Sequence, residues 1–266
     1  MNLEKICHQT IPIIERSGRF IRQELGRVSS GDIEEKALNS LVSYVDKTAE
    51  EQLVEGLGEL LPGSVFLTEE DTIENRSGDL QWIIDPLDGT TNFLFQLPVF
   101  SISVALQQEG QTVLGIVYEI NRQECFYAWR GAGAFLNGQP IRVSRRAPLE
   151  QALLATGFPY HDYSRMREYF QVFEHFMRHS RGLRRFGSAA VDLAYVACGR
   201  FDGFFEYGLN AWDVAGGAFI IREAGGVVTD FKGGGDFLYG GEIVAANPAV
   251  GKEMLGVIRG VFGYGN

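Results

Sequence analysis

Between Trp82 and Phe93 the chain passes from an apolar, β-branched stretch straight into two acids three positions apart: Trp82-Ile83-Ile84-Asp85-Pro86-Leu87-Asp88-Gly89-Thr90-Thr91-Asn92-Phe93. Any fold this chain adopts must therefore deliver two carboxylates to the end of one strand. Pro86 has no N–H to give to a sheet ladder and is expected to end that strand. Two carboxylates about 4 Å apart repel by about 1 kcal/mol in bulk water and about 4 kcal/mol at an effective dielectric near 20, so their proximity calls for a proton or a cation. With oxygen donors and no His or Cys close by in the sequence, Mg²⁺ fits better than zinc or copper. Gly89-Thr90-Thr91 then offers N–H groups and hydroxyls at the turn, suited to phosphate oxygens beside a metal. An Asp-Pro-x-Asp-Gly run is also an ordinary turn, so taken alone it leaves both readings open.

Two further acidic spots bear on the choice. Thr68-Glu69-Glu70-Asp71 follows the apolar segment Val65-Phe66-Leu67, which puts an acid at a second strand end, where α/β proteins bind ligands; a solvated acidic loop is the plainer alternative. Asp213, in Trp212-Asp213-Val214-Ala215-Gly216-Gly217, opens a helical pattern, and a helix N-cap would account for it without any metal. Spacing alone does not bring these three places together.

The surrounding pattern predicts helices over 3–25 and 45–61, the second stopped by Pro62-Gly63. Strands are expected at 65–67, 80–84 and 125–129, with a hairpin of 101–106 and 113–118 around Glu109-Gly110-Gln111. The second half reads as strand 153–156, helix 165–179, helix 188–198, strand 204–206 and helix 212–224, the last ended by Gly225-Gly226. Strands alternating with helices imply sheets covered by helical layers. Gly233-Gly234-Gly235 and Gly240-Gly241 bracket a loop, either a lid or a surface turn.

Composition narrows the function classes. Hydrophobic residues make up 45% of the 266 positions, enough to close a sizeable core. Lys plus Arg number 24 against 34 Asp plus Glu, a net charge of -10 with no basic arm, so direct nucleic-acid binding is disfavoured. Cys7, Cys125 and Cys198 show neither a disulfide framework nor thiolate-zinc spacing, which suits a reducing cytoplasm. No apolar run has the length of a signal peptide or membrane span, so a membrane role is not expected.

The run Asp85-Pro86-Leu87-Asp88-Gly89-Thr90-Thr91-Asn92, together with Trp212-Asp213 through Glu223-Ala224-Gly225-Gly226, resembles the inositol monophosphatase family; Glu69-Glu70 and Gly187-Ser188-Ala189 match as well. The resemblance covers nearly the whole chain. It implies an α/β fold, an αβαβα sandwich of alternating helix and sheet layers of the inositol monophosphatase and fructose-bisphosphatase type, as one domain over 1–266 with sub-halves of about 1–148 and 149–266. It implies two or three Mg²⁺ ions held by Glu69, Asp85, the carbonyl of Leu87, Asp88 and Asp213. It gives Glu69, Thr90 and Asp46 catalytic roles, the last two as the pair that positions the attacking water. Asp88, Gly89, Thr90, Ser188, Ala189, Glu206 and Asp213 would face the substrate, a small phosphorylated polyol. The implied activity is hydrolysis of inositol monophosphate, sensitive to Li⁺, by a homodimer.

Two positions depart from the family pattern: Thr68 stands where glycine is usual, and Asn210 where animal members carry histidine, which bears on substrate choice because Asn hydrogen-bonds without carrying charge. Alternatives are a nucleotidase acting on 3′-phosphoadenosine 5′-phosphate, a fructose-bisphosphatase, and a binding protein that works by contacting another macromolecule. His175 and His179 have the i, i+4 spacing of a zinc pair but lack a third ligand in the pattern. Arg184-Arg185 reads as a contact to substrate phosphate or a partner subunit, or as solvated surface. Phe93, Phe95, Phe100 and Phe135 are expected in the core.

Overall fold

A computed structural model describes the chain except residues 30, 32, 38, 39, 160, 161 and 266, and for residues 33–37, 40 and 41 it describes the backbone alone. The chain opens with α1 (Leu3–Glu24), the paired strands β1 (Ile33–Ala37) and β2 (Ser40–Ser43), and α2 (Tyr44–Leu60). Then come β3 (Val65–Thr68), β4 (Leu80–Asp88), the short helix α3 (Thr90–Leu94), β5 (Ser101–Gln108), β6 (Gln111–Glu119), β7 (Glu124–Trp129), β8 (Ala134–Leu136) and β9 (Gln139–Ile141). The remainder runs β10 (Leu153–Thr156), α4 (Met166–His179), β11 (Gly182–Arg184), α5 (Ala189–Ala197), β12 (Gly203–Tyr207), α6 (Ala211–Glu223), β13 (Val227–Thr229), β14 (Glu242–Ala246) and α7 (Pro248–Phe262).

Strands β3 to β9 form a seven-stranded sheet in chain order, parallel between β3 and β4 and antiparallel elsewhere. A five-stranded sheet has the order β11-β10-β12-β14-β13, with β10 parallel to both neighbours. Because side chains alternate along a strand, each sheet feeds two cores. Trp82, Ile84, Ile102, Val104, Leu106, Leu114 and Ile116 pack against Ile14 and Ile21 of α1 and Ala49, Leu53 and Leu57 of α2. The opposite faces of β6 and β7, through Val117 and Phe126, meet α5 and α6, which also take Ala155, Phe204, Ile243 and Ala245 from the second sheet. The next residues along those strands, Leu154, Phe205, Val244 and Ala246, point away to Tyr169, Val172 and Phe176 of α4 and Val250, Met254 and Ile258 of α7. The layers are therefore α1/α2, sheet, α5/α6, sheet, α4/α7, the expected αβαβα arrangement.

Each of the five expected helices has ends within one residue of those observed, and the hairpin turns through Glu109 and Gly110, both at positive φ. Two expectations need correction, and one open alternative is decided. Pro86 does not end its strand: β4 continues to Asp88 through a register irregularity, with Asp85 opposite Ser103 and Asp88 opposite Ser101. An irregular register tolerates the missing N–H that a regular ladder would not. Phe95 is not core: Phe93 and Phe100 are buried edge to face at 5.5 Å and Phe135 stacks on Trp129, whereas Phe95 follows the last residue of α3 and is 70% exposed. Between β13 and β14, Asp230 accepts the N–H groups of Lys232, Gly234 and Asp236, which makes the glycine loop a tied surface turn rather than a lid.

Candidate functional site

Strand β4 brings in the first two acids. Three steps along β4, from Asp85 to Asp88, match two along β5, from Ser103 to Ser101, so both acids line one cavity. The Leu87 N–H turns back onto Asp85 Oδ1 at 2.9 Å. Gly89 follows with φ 97, where a Cβ would be strained and would stand 3.1 Å from the Val99 carbonyl oxygen and 3.2 Å from that of Gly187. This left-handed residue redirects the chain into α3.

Asp88 is held from the other half of the chain. Its Oδ2 accepts the Ser188 hydroxyl at 2.7 Å and the Ala190 N–H at 2.6 Å. Ser188 is the N-cap of α5, so the first turn of that helix is built around the carboxylate. Asp213 arrives on α6, where it is the third helical residue and accepts the Asn210 N–H at 2.6 Å. The N-cap itself is Asn210, and Asp213 takes part in capping as the N3 member of a capping box, so the sequence alternative holds in part beside the cavity position.

Asp85, Asp88 and Asp213 thus come from two strand positions and one helix, and one carboxylate oxygen of each lies within 4.8 Å of the others. Burial, then the charges of Glu69, Asp88 and Asp213, holds the Asp85 carboxyl well above the usual range. Burial lifts Asp88 to about 6 against its hydrogen bonds to Ser188 and Ala190, and burial with the Asp88 charge lifts Asp213 to about 7. Crowded, dehydrated carboxylates of this kind are stabilised by a cation. The donor set is all oxygen, which fits a hard divalent ion such as Mg²⁺. Glu69, which follows β3, lines the same cavity, and so does Leu87.

The Thr90 hydroxyl lies 2.9 Å from Asp46 Oδ1 and 3.0 Å from the Leu87 carbonyl oxygen. Asp46 sits in the first turn of α2, 1% exposed, and accepts from the Ser43 N–H and hydroxyl at 2.8 and 2.7 Å. Burial raises its carboxyl above the usual range, opposed by those bonds and by Thr90. One hydroxyl proton serves one acceptor, and an ionised Asp46 is the stronger claimant. Given to Asp46, that proton leaves the Thr90 lone pairs turned outward to accept from a water.

The cavity, of about 160 Å³, is lined on its other side by Ser188, Ala189, Glu206, Asn210, Asp192 and Arg185. Glu206, on β12, is 6% exposed, and burial first, then the Asp213 charge, raises its carboxyl well above the usual range. Both arginines are exposed; Arg185 extends over the Phe158 ring at 5.6 Å and lines the cavity, while the Arg184 guanidinium rests on the Leu183 carbonyl. The doublet therefore splits: Arg185 reaches the site and Arg184 does not. His175 and His179 stack at 4.3 Å on α4 and lie outside the carboxylate group. Sequence reasoning passed over Asp192 and Glu50. The buried Glu50 carboxylate accepts the N–H groups of Glu70 and Thr72 and the Thr72 hydroxyl, pinning the loop that follows Glu69.

Layered sheets with acids converging from strand ends and helix starts define a phosphatase-type fold. The chain belongs to the inositol monophosphatase family, whose model matches residues 2–259. It is similar to the Nus factor SuhB of Pasteurella multocida (strain Pm70), 44% identical over 225 residues that cover 84% of each chain. Among solved structures it is similar to the extragenic suppressor protein suhB of Bartonella henselae, with a TM-score of 0.90 and 37% identity over 96% of this chain and 98% of that one. It is also similar to the IMPase of Thermotoga maritima, with a TM-score of 0.86 and 35% identity over 95% of this chain and 96% of that one. None of the described helices is long and apolar enough to cross a membrane.

Proposed function

We propose that this chain hydrolyses the phosphate monoester of a small polyol, inositol monophosphate before others, to the free alcohol and inorganic phosphate with the help of Mg²⁺. The reading rests on one observation, the approach of Asp85, Asp88 and Asp213 oxygens to within 4.8 Å of one another. Glu69, Asp85, the Leu87 carbonyl, Asp88 and Asp213 would hold two or three ions, which supply charge neutralisation for the phosphoryl group and the leaving oxygen and acidify water.

The chain's own groups do the rest. Thr90, polarised by Asp46, orients a water whose oxygen forms the new bond to phosphorus. The first N–H groups of α3, which have no acceptor inside the helix, face the phosphoryl oxygens from Gly89 and Thr90. Ser188 and the Ala190 N–H keep Asp88 aimed into the cavity. Glu206 and Asn210 lie on the alcohol side, where the bond from phosphorus to the substrate oxygen breaks and the alcohol departs with a proton from solvent. Thr90→Ala is expected to lower kcat by about a hundredfold or more with little change in KM, read from phosphate release under saturating Mg²⁺.

The deciding assay compares phosphate release from inositol monophosphate, 3′-phosphoadenosine 5′-phosphate and fructose 1,6-bisphosphate. Turnover confined to the nucleotide or to the bisphosphate would sink the inositol reading. Added Li⁺ is expected to suppress the activity by competing for a magnesium position, and sedimentation at micromolar concentration is expected to give a homodimer; a persistent monomer would count against the latter.

The Nus factor name of the similar Pasteurella multocida protein favours a second reading, a Nus-factor role exercised through a macromolecular partner. That name narrows the expectation about nucleic acid to what charge alone supports, a net -10 without a basic arm. The two readings separate in cells. If a catalytically dead Asp88→Asn chain replaces the native one without loss of growth, the partner-binding role carries the function.

A further inference from the structure

Helix α5 is apolar along its whole length, Ala189-Ala190-Val191-Asp192-Leu193-Ala194-Tyr195-Val196-Ala197, except for one acid. Asp192 is 1% exposed, its Oδ1 has no hydrogen-bond partner, and the residue lines the alcohol side of the cavity beside Glu206. The nearby carboxylate of Glu206 needs room of its own: a Cβ on Gly157 would fall 2.1 Å from Glu206 Oε1, so glycine at 157 is what lets that side chain lie in the cavity wall. A buried carboxyl without a partner lowers stability unless something else satisfies it, and the cavity that Asp192 lines is where a ligand would do so. Asp192 is not one of the three acids whose oxygens cluster within 4.8 Å.

We propose that Asp192 is a specificity-determining residue that, with Glu206, hydrogen-bonds hydroxyl groups on the alcohol half of the substrate, so that the pocket selects polyol esters over esters without hydroxyls. The inference deepens the polyol phosphatase reading and rests on it. A pocket with an unsatisfied acid rejects an alcohol that cannot hydrogen-bond to it, because binding would seal that acid in.

The test uses the full chain with Mg²⁺ and two substrates, inositol 1-phosphate and 4-nitrophenyl phosphate, whose leaving group carries no hydroxyl beyond the ester oxygen. Asp192→Ala is expected to raise KM for the inositol ester by about tenfold or more while kcat/KM for the aryl ester stays within about twofold. Asp192→Asn, which keeps the shape and one acceptor, is expected to have an intermediate KM and a Tm equal to or above that of the native protein, because burial and the neighbouring acids already hold the carboxyl well above the usual range and the amide has no ionised form to bury. Equal losses on both substrates, a lowered Tm in Asp192→Asn, or weaker Mg²⁺ uptake by calorimetry would overturn the assignment in favour of a structural or metal-binding part. If the native enzyme prefers the inositol ester and Asp192→Ala keeps that preference, the inference alone falls. If the native enzyme shows no preference, the polyol reading falls with it.

Discussion

Asp88→Asn is expected to lower kcat by about a thousandfold while leaving the fold intact. The carboxylate has two separable parts. Its Oδ2 accepts from Ser188 and the Ala190 N–H, and an Asn carbonyl oxygen can take over both bonds, so the start of α5 keeps its anchor. The negative charge cannot be replaced by an amide. A cation shared by Asp85, Asp88 and Asp213 contributes several kcal/mol to phosphoryl transfer, and each 1.36 kcal/mol is about tenfold in rate. Far-UV circular dichroism should match that of the native protein, the metal-stripped Tm should be no lower than native, and calorimetry should show weakened Mg²⁺ uptake. Activity within tenfold of native would remove Asp88 from the metal site.

The metal-stripped protein is expected to melt at a higher temperature at pH 5.5 than at pH 7.5, by about 5 °C or more. The carboxyls of Asp88 and Asp213 stand at about 6 and about 7 in the folded chain, and both lie near 3.8 when it unfolds. The folded state therefore binds more protons than the unfolded state across that interval, and stability falls as pH rises through it. Below the unfolded value both states are protonated and this contribution no longer changes. Millimolar Mg²⁺ should reverse the order, because the cation replaces the protons and binds the ionised acids of the folded chain alone. Catalysis should fail as pH drops below about 6, where protons displace the ion. Scanning calorimetry after EDTA treatment, with and without added Mg²⁺, checks both signs. A Tm that rises with pH in the stripped protein would show that these acids are not crowded.

Local pattern made most of the layers legible. The helices of α1, α2, α4, α5 and α6 carry 3.6-residue apolar stripes or clear stop signals, and β5 and β6 announce themselves through their turn. Helix α7 was missed even though Asn247 caps it, Pro248 opens it and Gly263 closes it in the left-handed conformation. Those are punctuation marks, and attention to apolar period passed over them. The three-residue strands β8, β9, β11 and β13 are too short to have a period at all. Pairing order lies further out of reach: β14 inserts between β12 and β13 through contacts distant in the chain.

At the site, Asp85, Asp88 and Asp213 could be picked out because each stands at a strand end or helix start, but their convergence needed the family resemblance. Glu50 and Asp192 were readable in principle. Glu50 lies one turn beyond Asp46 on the face that also buries Ala49, Leu53 and Leu57, and Asp192 is the lone charge in an apolar helix. An acid on a buried face is a signal that outranks its propensity. Arg185 was undecidable beside Arg184, since which of two adjacent exposed side chains reaches the cavity depends on the path of the chain at Phe186 and Gly187.

Three helices, α3, α5 and α6, begin at the cavity, marked by Gly89, Ser188 and Asn210, and α2 begins behind it, where Asp46 reaches Thr90. Each longer one brings the positive end of its backbone dipole, worth about half an elementary charge. Those dipoles offset only part of the charge of Glu69, Asp85, Asp88, Asp192, Glu206 and Asp213, so the cavity draws cations first, and a doubly charged phosphoryl group is attracted once bound ions complete the balance. Because those dipoles lie between packed layers, their share of that balance should resist ionic strength better than a patch of exposed basic side chains would.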